Sequence, residues 1–552
     1  MQLLALLAAS VVAAQAPPAA EPISPDHESA KANANHIFNA IHSAGRQWGS
    51  SLNHNGFGFI PVVVPAGTLL YHGGHSDRPP EGPEWLAFEV EHAAFFARGP
   101  LRGHRGRRPE QEEEELHLSS PAQKPISQPE TDGPPDGPPD GESEGRVRGY
   151  FQTYQTTRNV QLLYLDGTSA GKSPMGTLDQ QDDLLCQDCT TDGSITGGEM
   201  CRAKTMCDLV AEWGWDGIMR MEIGFEVIFC DFSSGLQLDS SLRTVPLDHK
   251  LQDDGFLTAY LWSRAAAERY GGIGGDRVQM DFSSMVSGFF FPINISNTDP
   301  DRPDLIRLNA AKREHLTDIR AYLQSVFSKP RKPKPTVNWQ AVVDMIVTRF
   351  SKRLAAMAST SISTDVFIGE LEGVALTYYE APRLPDDITA TADDDGKNRT
   401  AEAADRCAAH YLKPALPSRQ DWTLHDNLIH TALRAVMERI CSDLYLMRST
   451  LLRADPDTAA DAFFIKKGVE SAEMDKAVNQ SRVIVRNLMD ELAWTTWKMP
   501  PLCAEDEMLL TAMWPIGDRV DHFNPGCVSI EEVVGERRSY WAPCGRGGKY
   551  WK

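Results

Sequence analysis

Residues 162–173 read LLYLDGTSAGKS, an apolar strand-like run followed by a glycine-bearing turn and Gly-Lys-Ser. Read as a phosphate-binding P-loop, the stretch would make the chain a nucleotide-binding α/β fold. The Walker A pattern needs G-x-x-x-x-G-K-S/T, because the amides between the two glycines curl round a phosphate at a helix start. Counting back from Gly171, the first glycine belongs at 166, which is Asp166; Gly167 leaves the loop one residue short. A carboxylate there would face the phosphates, and Gly176 would weaken a helix within its first turn. The run VIFCD, ending in Asp231, imitates a Walker B strand, yet ATP is scarce outside cells. The spacing predicts instead a structured turn in which Asp166, Thr168 and Ser169 hydrogen-bond the backbone. A P-loop nucleotide binder remains the lesser alternative, and it would require Lys172 at a helix N-terminus.

Working outward, FIPVVVPAGTLLYHG (59–73), GYFQTYQTTRNVQLLYLDG (149–167) and GFEVIFCDF (224–232) are rich in the β-branched and aromatic residues of strands. Helical patterns fall between them at 89–97 and 199–213. Residues 36–249 therefore read as a mixed α/β domain. Within it, residues 99–148 form a Pro-, Gly- and Glu-rich insert, with EQEEEE and GPPDGPPD, predicted to be disordered. Residues 17–35 read as a disordered lead-in. From 250 to 500 the apolar period turns helical. Its stripes are Leu316–Phe327, Trp339–Met357, Ile429–Met447 and Val478–Leu492. Residues 501–552 form a cysteine-containing tail. The predicted class is α+β: a mixed α/β domain followed by a mainly helical one.

The N-terminal run MQLLALLAASVVAA has the length of a signal-peptide h-region, although it carries no Lys or Arg before it. Cleavage after Ala14 or Ala16 suits a small-x-small site, so residues 1–16 read as a leader. No later run reaches the roughly 18 apolar residues a membrane span requires. Ten cysteines and three N-x-S/T sequons, at Asn294, Asn398 and Asn479, agree with an oxidising export route. The formal net charge of −21 has the wrong sign for a phosphate backbone, which argues against a nucleic-acid partner. A secreted, disulfide-containing glycoprotein is expected.

The strand ends carry a further pattern. LLYHGG offers His72 and Gly73, PEWLAFEVEHAAFFA enters a helix with Trp85, Phe88 and Phe96, and a late strand presents Glu226, with Glu222 as a competing acid. This arrangement resembles the His-Tyr-Glu branch of the ADP-ribosyltransferase superfamily. The resemblance implies that His72 and Gly73 meet the ribose of NAD and that Trp85, Phe88 and Phe96 sandwich nicotinamide. It implies too that Glu226 stabilises an oxocarbenium-like transition state; such a cation needs a fixed carboxylate in a water-poor pocket. The branch's tyrosine has no counterpart, because no Tyr lies between Tyr71 and Tyr150, and Gly74 stands where the polymerases carry Ser or Thr. The phrases PEWLAFEVEHAAFFA, LLYLDGTSAGKSPMGTLDQQD and MWPIGDRVDHFNPGC are also similar to a family of uncharacterised exported proteins of filamentous fungi.

No metal is expected. Cys186 and Cys189 have C-x-x-C spacing, but Cys201 and Cys207 are wrongly spaced for a second zinc pair. His425 and His430, five residues apart on a helix, point their rings to different faces. No G-x-S-x-G elbow occurs. Two functions stay open: an NAD-binding, ADP-ribosyltransferase-like protein with His72 and Glu226 as its catalytic pair, or a non-catalytic extracellular interaction protein.

Overall fold

The computed structural model describes residues 21–53, 56–98, 149–171, 175–186, 198–244, 255–300, 305–330, 335–381, 398–455, 465, 468, 471–511 and 522–534. The expected leader, the insert at 99–148, Lys172, Cys189 and Cys544 lie outside them. The first helices are α1 (His27–Ala32), α2 (Ala34–Ser43) and α3 (Gln47–Leu52). After them come β1 (Gly58–Val64), β2 (Leu69–Gly74), β3 (Glu84–Ala87), α4 (Val90–Arg98), β4 (Tyr150–Thr156) and β5 (Val160–Leu165). Next in the chain are α5 (Leu178–Leu185), α6 (Glu199–Ala211), β6 (Gly217–Glu222), β7 (Gly224–Phe229), β8 (Leu236–Arg243) and α7 (Gly255–Ala267). Two short strands, β9 (Gln279–Met280) and β10 (Val286–Ser287), precede the helices α8 (Arg313–Phe327), α9 (Trp339–Ala358), α10 (Thr364–Ala375), α11 (Arg399–His410), α12 (Leu424–Ala454) and α13 (Ala472–Leu492). The hairpin β11 (Glu507–Leu510)–β12 (Gly526–Ser529) and α14 (Ile530–Val534) end the described chain.

The architecture is mixed α/β, a sheet followed by a mainly helical region. Ten strands form one sheet in the order β10-β1-β5-β6-β7-β3-β2-β4-β8, with β9 also on β1. All pairs are antiparallel except β5–β6. Beyond residue 250, where the sequence places its second domain, β9 and β10 still pair with β1. Strands β6 and β7 are buried along their whole length, as central strands covered on both faces must be.

The four helical stripes face inward. Trp339, Val342, Ile346, Phe350, Leu354 and Met357 are all buried, and so are Ile429, Leu433, Val436, Ile440 and Leu444. Helix α12 starts from a capping box between Thr423 and Asp426, which satisfies amides that its first turn would leave unpaired. A disulfide between Cys407 and Cys441 ties α11 to α12. Two others join Cys207 to Cys230 and Cys503 to Cys527.

Residues 27–43, half of which the sequence reading leaves in an unstructured lead-in, are helical. Asp26 caps α1 by accepting the Ser29 amide at 2.7 Å. Ala30, Ala34, Ile37, Phe38 and Ile41 are buried, and Phe38 stacks on Trp494 at 5.5 Å. Their helical spacing is hidden by the polar Asn, His and Lys residues between them.

The turn after β5 has the hydrogen bonds its composition predicts. Asp166 accepts the Gly58 amide at 2.8 Å, Ser169 donates to the Leu165 carbonyl at 2.8 Å, and Thr168 donates to the Ser50 carbonyl. Gly167 supplies the left-handed residue, with φ of 69°. Burial pushes the Asp166 carboxyl up to about 7, against the single amide it accepts.

Candidate functional site

The geometry begins with two glycines. A Cβ on Gly73 would lie 1.8 Å from the Ala93 carbonyl oxygen, and one on Gly149 would lie 1.9 Å from that of Ala97. Only glycine lets α4 settle this closely on β2 and β4. Beneath α4, β2 and β3 share one paired position, Tyr71 with Ala87, and then diverge. The His72 ring bridges the gap, with Nδ1 2.9 Å from the Trp85 carbonyl oxygen. The hollow between the strands is lined by His72, Gly73, Glu84, Trp85, His92, Phe96 and Glu226, among others. Five positions singled out in the sequence thus meet at one place: His72, Gly73, Trp85, Phe96 and Glu226. Phe88 and Glu222 do not line it. Phe88 is buried under the Arg277 guanidinium, and Glu222 lies at the end of β6, where its carbonyl oxygen accepts from Gln47.

Glu226 does not stand alone. Its cross-strand neighbour on β6 is Arg220, whose Nε donates to Glu226 Oε1 at 2.6 Å, both side chains being 1% exposed. Arg220 Nη2 donates to Glu199 Oε2 at 2.5 Å. Glu199 in turn meets Arg202, which makes a two-pronged pair with Asp182 at 2.8 Å. Burial works against the charge of Arg220, but Glu199 and Glu226 outweigh it and hold the guanidinium above its ordinary value. The Glu226 carboxylate is therefore compensated inside the protein. A carboxylate already matched by a guanidinium has little field left for a cation developing beside it.

Next to this network lies a second buried acid. Both Glu89 oxygens lack a hydrogen-bond partner, with Arg269 Nε at 3.6 Å and His92 Nδ1 at 3.9 Å. The His92 ring stacks on Trp262 at 4.2 Å. Gly224, with φ of 90°, makes room for the group, since a Cβ there would fall 2.9 Å from Glu89 Oε2.

The residue types suit the ribose and nicotinamide of NAD, but the space does not. The hollow measures about 20 Å³, room for about one water, where small-molecule sites run to about 300–1,000 Å³. A hollow of this volume has no room for a dinucleotide. Sequence reasoning missed Arg220, Glu199 and the Glu89–His92 pair. The available signals were an arginine between two methionines in the strand GIMRME and the E-x-x-H spacing in FEVEH.

The other sequence motifs resolve simply. His425 Nε2 meets the Tyr322 hydroxyl at 3.1 Å, and Asp426 accepts from Ser283 and Trp339. Cys186 is disulfide-bonded. Among the described residues, no helix is long and apolar enough to cross a membrane.

Residues 27–252, from the start of α1 to just past β8, match the family model described as the YPL277C N-terminal domain. An alignment of 545 residues shows 26% identity to uncharacterized protein YOR389W of Saccharomyces cerevisiae, covering 87% of this chain and 82% of that protein. Over 224 residues the chain is 34% identical to uncharacterized protein YPL277C of the same yeast, covering 39% of this chain and 44% of that protein. No solved structure matches. The residues that line the gap lie within the span this family model matches.

Proposed function

We propose that this is an exported glycoprotein that acts by binding, and that its sheet retains an ADP-ribosyltransferase-like gap in a closed, non-catalytic form. The observation that carries this reading is the Arg220–Glu226 pair. The acid that the resemblance assigns to charge stabilisation is neutralised from within and is 1% exposed. Export is supported by three disulfides among the described residues. Asn294, Asn398 and Asn479 are all exposed, so each sequon asparagine is open to an oligosaccharide. The kinship with exported proteins of filamentous fungi belongs to the same proposal, as does the division at residues 249 and 500.

A second reading, retained NAD chemistry with His72 and Glu226 as catalytic residues, is favoured by one observation. His72, Gly73, Trp85, Phe96 and Glu226 line a single hollow. The two readings separate in an assay of nicotinamide release from NAD by the secreted protein. The expected result is no release above the uncatalysed rate, with Glu226→Gln indistinguishable from the parent. Turnover that Glu226→Gln abolishes would overturn the non-catalytic reading.

A further inference from the structure

A second hollow, of about 530 Å³, opens where α8 ends, beside β1, β5 and β9. Its floor follows from strand register. Val63 on β1 is paired with Gln161 on β5 and with Gln279 on β9, so the three side chains stand in a row on one face. The two glutamines are two strand spacings apart, about 9–10 Å, and both are exposed. Trp213 and Trp215, in the turn leading to β6, form an aromatic wall beside this row, braced edge-on against each other and against Phe327. The buried Trp213 Nε1 has no hydrogen-bond partner.

We propose that this hollow binds a neutral saccharide. A sugar ring offers an apolar C–H face and a rim of hydroxyls that both donate and accept. The site mirrors it with an aromatic wall and, on its floor, with primary amides on either side of Val63 that also donate and accept. Asn159 adds a third amide on the same rim, its oxygen already accepting the Ala66 amide and its NH2 group left to donate. Anions are disfavoured on two counts. The lining carries one acid and one base, Asp281 and Lys329, and so no excess positive charge. Ser328 and Lys329 follow the C-terminal end of α8, the negative pole of the helix dipole. This site stands apart from the β2–β3 gap, and its assignment does not depend on the reading of that gap.

The test is calorimetry on the secreted full-length protein against cellotriose, laminaritriose, chitotriose and mannotriose, with tryptophan fluorescence as a second readout. At least one should bind with Kd of about 1 mM or tighter. Gln161→Ala/Gln279→Ala should weaken that binding about tenfold or more, without change in the melting temperature, and Trp213→Phe should reduce the fluorescence change. Three results would each overturn the assignment. One is no binding by any of the four at about 10 mM. Another is equal binding by the double variant and the parent. The third is saturable binding of a proline-rich peptide or of phosphate where the saccharides fail.

Discussion

The two hollows of the sheet are opposites. The β2–β3 gap has the residues an enzyme would want and almost no space, and Glu226 in it is tied to an arginine. The hollow beside Trp213 has space, and its lining is mostly amides, aromatic rings and backbone turns. Residue identity at a strand end therefore says little about availability. A histidine, a tryptophan and a glutamate can converge because they pack well, and a guanidinium six residues away decides whether the glutamate can act. Space forms where strands and a helix end together, not where the motif lies.

The sharpest way to break this comparison is to unpair the gap. Arg220→Met removes the guanidinium paired with the buried Glu226 and should cost about 3–5 kcal/mol in urea unfolding. Arg220→Met/Glu226→Met should recover much of that loss, because Glu199 keeps Arg202. An unchanged midpoint in the single variant would mean that the network carries no structural charge.

Asp166 provides the contrast, a buried acid with no cation paired to it among the described residues. Its Oδ2 has no hydrogen-bond partner, and the carboxyl is pushed up to about 7. Between the unfolded value near 3.8 and about 7 the folded state binds more protons than the unfolded one. Stability should then fall as pH rises through that window. Asp166→Asn should remove the fall, gaining up to about 4 kcal/mol over the parent at pH 8 and almost nothing at pH 3.5. Parallel pH profiles for the two proteins would contradict the assignment of that slope to Asp166. The smallest effect belongs to the open hollow. Gln161→Ala/Gln279→Ala should leave stability within about 0.5 kcal/mol, since these side chains are exposed. A larger loss would make them part of the scaffold.

Much of this was legible in the chain itself. Helices α8, α9, α12 and α13 follow from stripes of period 3.6, and β1, β2, β5 and β7 from β-branched and aromatic runs. The turn at 166–169 follows from its Asp, Gly, Thr and Ser. The grouping of His72, Trp85 and Glu226 came from the family resemblance and not from their spacing, since Glu226 lies inside β7 and not at its end. Arg220 was not legible. A strand buried on both faces shows no alternation, so nothing in GIMRME marks which way the arginine points. Helices α1 and α2 were missed because alanine does much of their packing and the apolar signal is thin. The open hollow was invisible for a different reason. Val63, Gln161, Trp213 and Gln279 come from four separate segments and meet only through strand register.

The most direct test of the central claim, that the gap is closed and Glu226 compensated, is calorimetric titration of NAD into the full-length protein. The account predicts no saturable heat up to about 1 mM NAD, for the parent and for Glu226→Ala alike. Saturable binding by the parent that Glu226→Ala abolishes would show that the gap opens and that Glu226 is available to a ligand.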